Sequence, residues 1–156
     1  LIFSEPYLTN KLVSVTHIEN TPPPDTSESF KNALDKPGYQ LGVMEDYAYG
    51  EIIPPNTPTQ TFQHYSALFR QLAGKKIDIS LMEKAVAHFY ISRQPPLKKQ
   101  LVISEQTLQE RALHITMLKK HPEASSVIDR FNQKLKKYLA SNEYRSLLKR
   151  YNLNVE

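Results

Sequence analysis

From Gln40 to Ile91, short apolar runs alternate with segments of helical spacing, and this alternation limits the fold more than any other feature of the 156 residues. Gln40 to Met44 reads as a strand, followed by a turn and a helix start. Tyr65, Leu68, Phe69 and Leu72 recur at the 3.6-residue period of a helix that Gly74 closes. Ile77 to Met82 is a second apolar run of strand length, and Glu83 to Ile91 reads as a helix running into "SRQPPLKK". Strands connected through helices are expected to run parallel, with the helices packed on the faces of the sheet. The expected class is therefore α/β with a parallel sheet.

The flanks extend the pattern. In "LIFSEPYLTNKLVSV" two runs rich in apolar and β-branched residues, Leu1–Phe3 and Lys11–Ile18, are separated by Pro6 and a short link. No local hairpin supplies partners for the backbone groups of the first run, which a strand at that position needs. The Pro-rich stretch "NTPPPDTSES" offers Asp, Thr and Ser as caps for a short helix from Phe30 to Leu34, which Pro37-Gly38 ends. "PPNTPTQTF" reads as an irregular link. Further on, "QLVIS" and "ALHITML" read as strands on either side of the polar stretch Glu105 to Glu110. "KKHPEASSV" opens a long helix with Pro122 in its first turn, and Ser141-Asn142 breaks that helix and caps a shorter one through Tyr144, Leu147, Leu148 and Tyr151.

The formal net charge is +4, and it is unevenly placed. Lys119 to Glu156 holds nine Lys/Arg against four Asp/Glu, a balance of +5, which leaves −1 for the preceding residues. The long helix sets Val127, Ile128, Phe131, Leu135, Tyr138 and Leu139 on one stripe, with Arg130, Lys134 and Lys137 largely opposite. Such a pattern describes a solvated basic face; a nucleic-acid surface, the competing reading, predicts affinity that falls steeply with salt. No apolar run approaches the ~18 residues of a membrane span. With no cysteine there is neither a disulfide nor a thiolate metal site, a composition suited to an oxidising compartment. The five histidines lack HExxH spacing, and the chain contains no GxSxG, P-loop or GxGxxG motif, so neither catalysis nor a metal or cofactor is expected.

Four segments, "FSEPYL", "GYQLGVMEDYAYGE", "LFRQLAGKKIDISLMEKAVAHFYI" and "HITMLKKHPEASSVIDRFNQKLKKYLASNEYRSLLKRYNL", occur in an order and at a spacing that resemble the extracytoplasmic solute-binding proteins of polar amino acid ABC transporters. The resemblance runs over nearly the whole chain. It implies a periplasmic-binding-protein-like α/β fold in which two lobes close on a small solute and the chain crosses between them twice. Residues 1–10 would end lobe one and make the first crossing, 11–104 would form a parallel-sheet lobe two, and 105–156 would make the second crossing and return to lobe one through the C-terminal helices. The N-terminal part of lobe one would then lie outside this sequence, and Leu1–Phe3 would be an interior strand of a sheet whose neighbours are not in it. Its absence would leave the stripe of the long helix to be covered by a domain-swapped second copy or exposed as an adhesive patch. The implied function is a periplasmic receptor that captures an amino acid or similar small polar solute for an ABC permease, with its signal peptide outside these residues. The alternative is a ligand-sensing module of the same fold from a sensor kinase or a cell-wall lytic enzyme.

Candidate site residues follow from both lines of reasoning. A strand ending at "GVMED" and turning into a helix would present amides and a positive dipole end suited to a carboxylate, at the strand edge where open α/β sheets bind ligands. Relatives usually carry Gly and small hydroxyl residues in that turn; here the matching residues are Asp46, Tyr47, Ala48 and Tyr49. Asp46 is either the cap of the expected helix or a ligand contact. Glu83, five residues after Asp78, matches a position where relatives often place an Asp on the solute's ammonium group; otherwise it is an exposed acid in a helix's first turn. Tyr7 follows the family's "PY" pattern at the crossing, and with Tyr47 and Tyr49 it offers apolar ring faces with a polar tip.

Overall fold

Ten consecutive residues, Leu8–His17, form the longest strand, β2, and Leu12 through His17 are all buried. In the computed structural model, which describes residues 1–151 and 153, β2 begins in one unit of the chain and ends in another. The first unit comprises Leu1–Asn10 with Arg111–Glu156, and the second is Lys11–Glu110.

The second unit is built on one sheet. Its strands are β2, β3 (Leu41–Met44), β4 (Thr59–Phe62), β5 (Ile79–Glu83) and β6 (Leu101–Ile103), in the order β4-β3-β5-β2-β6, and β7 (Gln109–Leu113) also pairs with β2. As expected, β3 and β5 are parallel neighbours, with Leu41 opposite Ile79 and Gly42 opposite Ser80. The sheet as a whole is mixed, because β2 runs antiparallel to both β5 and β6. The apolar pattern of β2 reports burial on both faces, which is independent of strand direction; only the β4-β3-β5 part fulfils the parallel expectation.

Successive residues of these strands point to opposite faces, so each strand feeds two cores. Val13, Val15 and Met82 join Phe62, Leu68, Phe69, Leu72 and Ile77 under α2 (Tyr65–Ala73), α3 (Lys84–Arg93) and α4 (Pro95–Gln100). Leu12, Ile79 and Leu81 join Phe30, Leu41, Val43, Ile52 and Leu108 on the other face, where α1 (Ser27–Leu34) contributes Phe30. Burial of each such side chain contributes about 1.5–3 kcal/mol, so the unit encloses its own hydrophobic driving force. At Gly42 the first core closes on bare backbone: a Cβ there would stand 2.3 Å from Ile77 Cδ1 and 3.3 Å from Phe62 Cε2.

Two elements of this unit were not legible. β4 falls in the stretch read as an irregular link, because Thr59, Gln60 and Thr61 are exposed and carry no apolar alternation. α4 begins with Pro95 at its first helical position, where the missing N–H costs nothing. The cap of α1 is Thr26, whose hydroxyl oxygen accepts from Ser29 N–H while Ser29 Oγ accepts from Thr26 N–H, both at 3.0 Å.

In the first unit β1 (Ile2–Phe3) pairs antiparallel with β8 (Thr116–Met117), and Ser4 N–H donates to the Ile115 carbonyl at 2.9 Å. Contrary to the expectation that the neighbours of the opening strand are not in this sequence, one partner is supplied from more than a hundred residues along the chain, because pairing depends on where the chain returns and not on local pattern; "ALHITML" splits into the end of β7 and β8. Helix α5 (Ala124–Leu139) starts after Glu123, so Pro122 precedes the cap instead of sitting in the first turn. Its stripe is not bare: Ile128 and Leu135 are buried and Phe131 half-buried against β1, β8 and α6 (Asn142–Arg150), leaving Tyr138 exposed. Ser141 caps α6 as expected, accepting from Tyr144 N–H at 3.1 Å.

Candidate functional site

The parallel strands β3 and β5 end side by side, and their C-terminal edge collects five of the six residues singled out in the sequence. Beyond Met44, Glu45 N–H donates to the Phe62 carbonyl at 2.8 Å and extends the contact with β4. Asp46 then takes a φ of +59° and Gly50 one of +63°. A positive φ at Asp46 takes the chain out of right-handed helical geometry directly after β3. The turn therefore leads only to a three-residue helical turn, Gly50–Ile52, and Pro54-Pro55 ends any continuation. The expectation of a helix start after β3 is overturned: Asp46 is an exposed turn residue, not an N-cap, and no helix dipole stands there to seat a carboxylate.

The tyrosines of the turn fold back on the strand ends. Tyr49 Oη accepts the N–H of Met44, the last residue of β3, at 2.8 Å. Burial holds its phenol above the usual tyrosine range; the bond from Met44 opposes that shift and the charge of Glu83 adds to it. Tyr47 Oη donates to Glu83 Oε1 at 3.0 Å, and the Tyr47 and Tyr49 rings lie 4.7 Å apart, tilted by 51°. Ala48 links the two and contributes no hydroxyl.

Glu83 is the last residue of β5 and the N-cap of α3, half-buried. Its side chain makes no capping bond to α3 and meets Tyr47 instead. It is thus neither exposed nor in the first turn, and the plain reading of an acidic residue serving a helix dipole does not describe it.

Tyr7 belongs to the first unit. Its N–H donates to the Leu113 carbonyl at 3.0 Å, its carbonyl accepts from Tyr144 Oη at 3.0 Å, and its side chain is exposed.

Sequence reasoning passed over Tyr65, which it assigned to a helix stripe. Tyr65 is the first residue of α2, directly after β4, half-buried. Its phenol is pushed up to about 12 by burial first, then by Tyr49, Glu83 and Tyr90. Recognising β4 would have placed Tyr65 at the same strand edge as Tyr49 and Glu83. Three of the five histidines bond the backbone: the Nδ1 atoms of His17 and His121 accept backbone N–H groups, and that of His114 bonds the Ser4 carbonyl at 2.7 Å. Among the described residues no group of three His, Asp or Glu side chains is placed to hold a metal ion.

This is a mixed α/β fold of the periplasmic-binding-protein type. Its structural neighbours are amino-acid-binding proteins: a mutant of ArgBP from T. maritima (20% identity, TM-score 0.71, 98% of this chain), AbpA, an amino acid ABC transporter substrate-binding protein from Streptococcus pneumoniae bound to L-arginine (18%, 0.67, 96%), and a Wolinella succinogenes protein complexed with lysine (15%, 0.76, 98%). This chain spans about three fifths of the length of each, at 62%, 60% and 63% respectively. Protein-family models and curated proteins give no match to this sequence. No helix among the described residues is long and apolar enough to cross a membrane.

Proposed function

We propose that this chain is part of an extracytoplasmic receptor that captures an amino acid or similar small polar solute for uptake through an ABC permease, and that it binds without catalysing a reaction. The observation that carries the reading is the convergence of Tyr47, Tyr49 and Glu83 where β3 and β5 end, the edge at which open α/β sheets take their ligands. Fold alone does not assign function, but neighbours of this fold that hold arginine or lysine make a small nitrogenous solute the natural first test.

Thermal unfolding of the protein against single amino acids, amines and small carboxylates tests it. A ligand at about 100 times its Kd adds about 2.7 kcal/mol of stability, a shift of several degrees. At least one compound is expected to produce this shift, and Glu83→Gln to remove it. A flat response across all three classes would exclude a small-solute receptor.

A further inference from the structure

The ladder between β3 and β5 pairs Leu41 with Ile79 and Gly42 with Ser80, short of the strand ends at Met44 and Glu83. Past those pairs each strand keeps a different neighbour. β3 stays with β4, where Val43 lies opposite Thr61 and Met44 opposite Phe62, while β5 stays with β2, where Met82 lies opposite Val13 and Glu83 opposite Leu12. The chain also leaves the two strands on opposite faces. From β3 it turns toward β4, with Tyr47, Tyr49 and Ile52 packed on the core that holds Phe30; from β5 it enters α3, which places Ala87 and Ile91 in the other core. Such a parting of the chain at adjacent strand ends opens a crevice, and the side chains on its two lips decide what it can hold.

A hydrogen bond spans those lips. Side chains alternate along β5, so Glu83 projects to the face of Ile79 and Leu81 and away from α3, which is why it makes no capping bond to that helix and accepts from Tyr47 Oη at 3.0 Å instead. On the β3 side the Tyr47 ring packs against the same core and lies 4.7 Å from the Tyr49 ring, whose Oη is tied to Met44 N–H at 2.8 Å. A phenol has one proton to donate. Tyr47 gives it to the Glu83 carboxylate, a stronger bond than one between neutral groups, and the ring that carries the donor is itself fixed by packing.

We propose that Tyr47 is a positioning residue of the solute site: from the β3 side of the crevice its hydroxyl fixes the direction of the Glu83 carboxylate on the β5 side, and it acts on the solute through that carboxylate. Tyr49 steadies its ring. This rests on the reading of the chain as a solute receptor with Glu83 in its site, and it holds for any solute that Glu83 touches.

NMR chemical-shift titration with the common amino acids, agmatine, putrescine and succinate as probes tests it. The tightest-binding probe is carried through the unsubstituted protein, Tyr47→Phe, Glu83→Ala and the double variant. Tyr47→Phe, which keeps the ring, should weaken binding about tenfold, the scale of one hydrogen bond to a charged group; in the Glu83→Ala background the same change should alter Kd by less than about twofold. A hydroxyl that touched the solute, or one that only held the fold together, would cost the same affinity in both backgrounds, so equal losses overturn the proposal. A Tyr47→Phe protein that binds like the unsubstituted one overturns it too, and in either case the receptor reading stands. Silence from every probe overturns both. Three-bond couplings of Glu83 give a reading without any probe: one χ1 rotamer in the unsubstituted protein and averaged rotamers in Tyr47→Phe are expected, and a single rotamer in both would overturn the positioning role. Should Tyr47→Phe misfold, Tyr49→Phe, which unties the neighbouring ring from Met44 N–H, runs the same cycle, with a loss expected only where Glu83 is present and equal losses again overturning the role.

Discussion

The two units of this chain solve the burial problem to different extents. The second unit places a mixed sheet between helices, and residues such as Leu12, Leu41, Phe30, Leu68, Leu72 and Leu81 are wholly withdrawn from water. The first unit has strands of two residues and two helices, and it carries eight of the ten large apolar side chains that remain exposed among the described residues, Leu1, Phe3, Ile115, Leu118, Leu147 and Tyr151 among them. A sheet covered on both faces hides apolar residues from every strand; a two-stranded ribbon has one covered face at most. The contrast shows that the aromatic and acidic edge at the ends of β3 and β5 grows out of the better-packed sheet.

Core truncation is the strongest way to break this comparison. Phe69→Ala should cost about 3–5 kcal/mol in urea unfolding, because its ring is buried under α2, whereas Leu147→Ala on α6 should stay within about 0.5 kcal/mol. Equal costs would mean that the first unit's apolar side chains are covered, and the contrast would vanish.

A smaller effect sharpens it. Thr26→Ala removes the hydroxyl half of the reciprocal cap of α1 and leaves the backbone N–H of residue 26 bonded to Ser29 Oγ, and Ser141→Ala removes the side-chain cap of α6; each should cost about 1 kcal/mol. Amide hydrogen exchange resolved by helix would report each loss locally. A loss of protection at Ser141→Ala that spread through the second unit would show the two units unfolding together instead of independently.

The smallest effect is electrostatic. Glu19, fully exposed, is bonded to Lys75 from the turn after α2, and that hydrogen bond, followed by the lysine's charge, holds its carboxyl below the usual range. Because the folded value lies below the unfolded one, the small stabilisation is present above the ordinary carboxylate pKa and disappears as pH falls through the folded value. Titration followed by NMR should show Glu19 returning to the ordinary range in Lys75→Met. No change between the two proteins would dismiss the ion pair.

Much of the architecture was legible because local physics decides it. The apolar runs of β3 and β5, the period of α2 and α5 and the Ser141 cap each depend on residues within a few positions of one another, and each formed as expected. The strand edge that would carry the site was legible for the same reason: a strand followed by punctuation must end somewhere, and Asp46 and Glu83 mark the two ends. The edge strand β4 was not, since Thr59, Gln60 and Thr61 owe their conformation to hydrogen bonds with β3 and to nothing in their own pattern.

What tertiary structure alone decided concerns direction and meeting. Whether β2 runs with or against β5 depends on how the chain returns to the sheet, and an apolar run is the same read either way. The pairing of Ile2 with Met117 joins residues that no local rule connects, and loop closure over that distance is repaid only by contacts made once both ends are in place. Residue types alone told that this protein has tyrosines and a glutamate at strand ends. That Tyr47 bonds Glu83 and that Tyr49 folds back to Met44 followed from backbone geometry: a positive φ at Asp46 turned the chain back on itself where a helix had been expected.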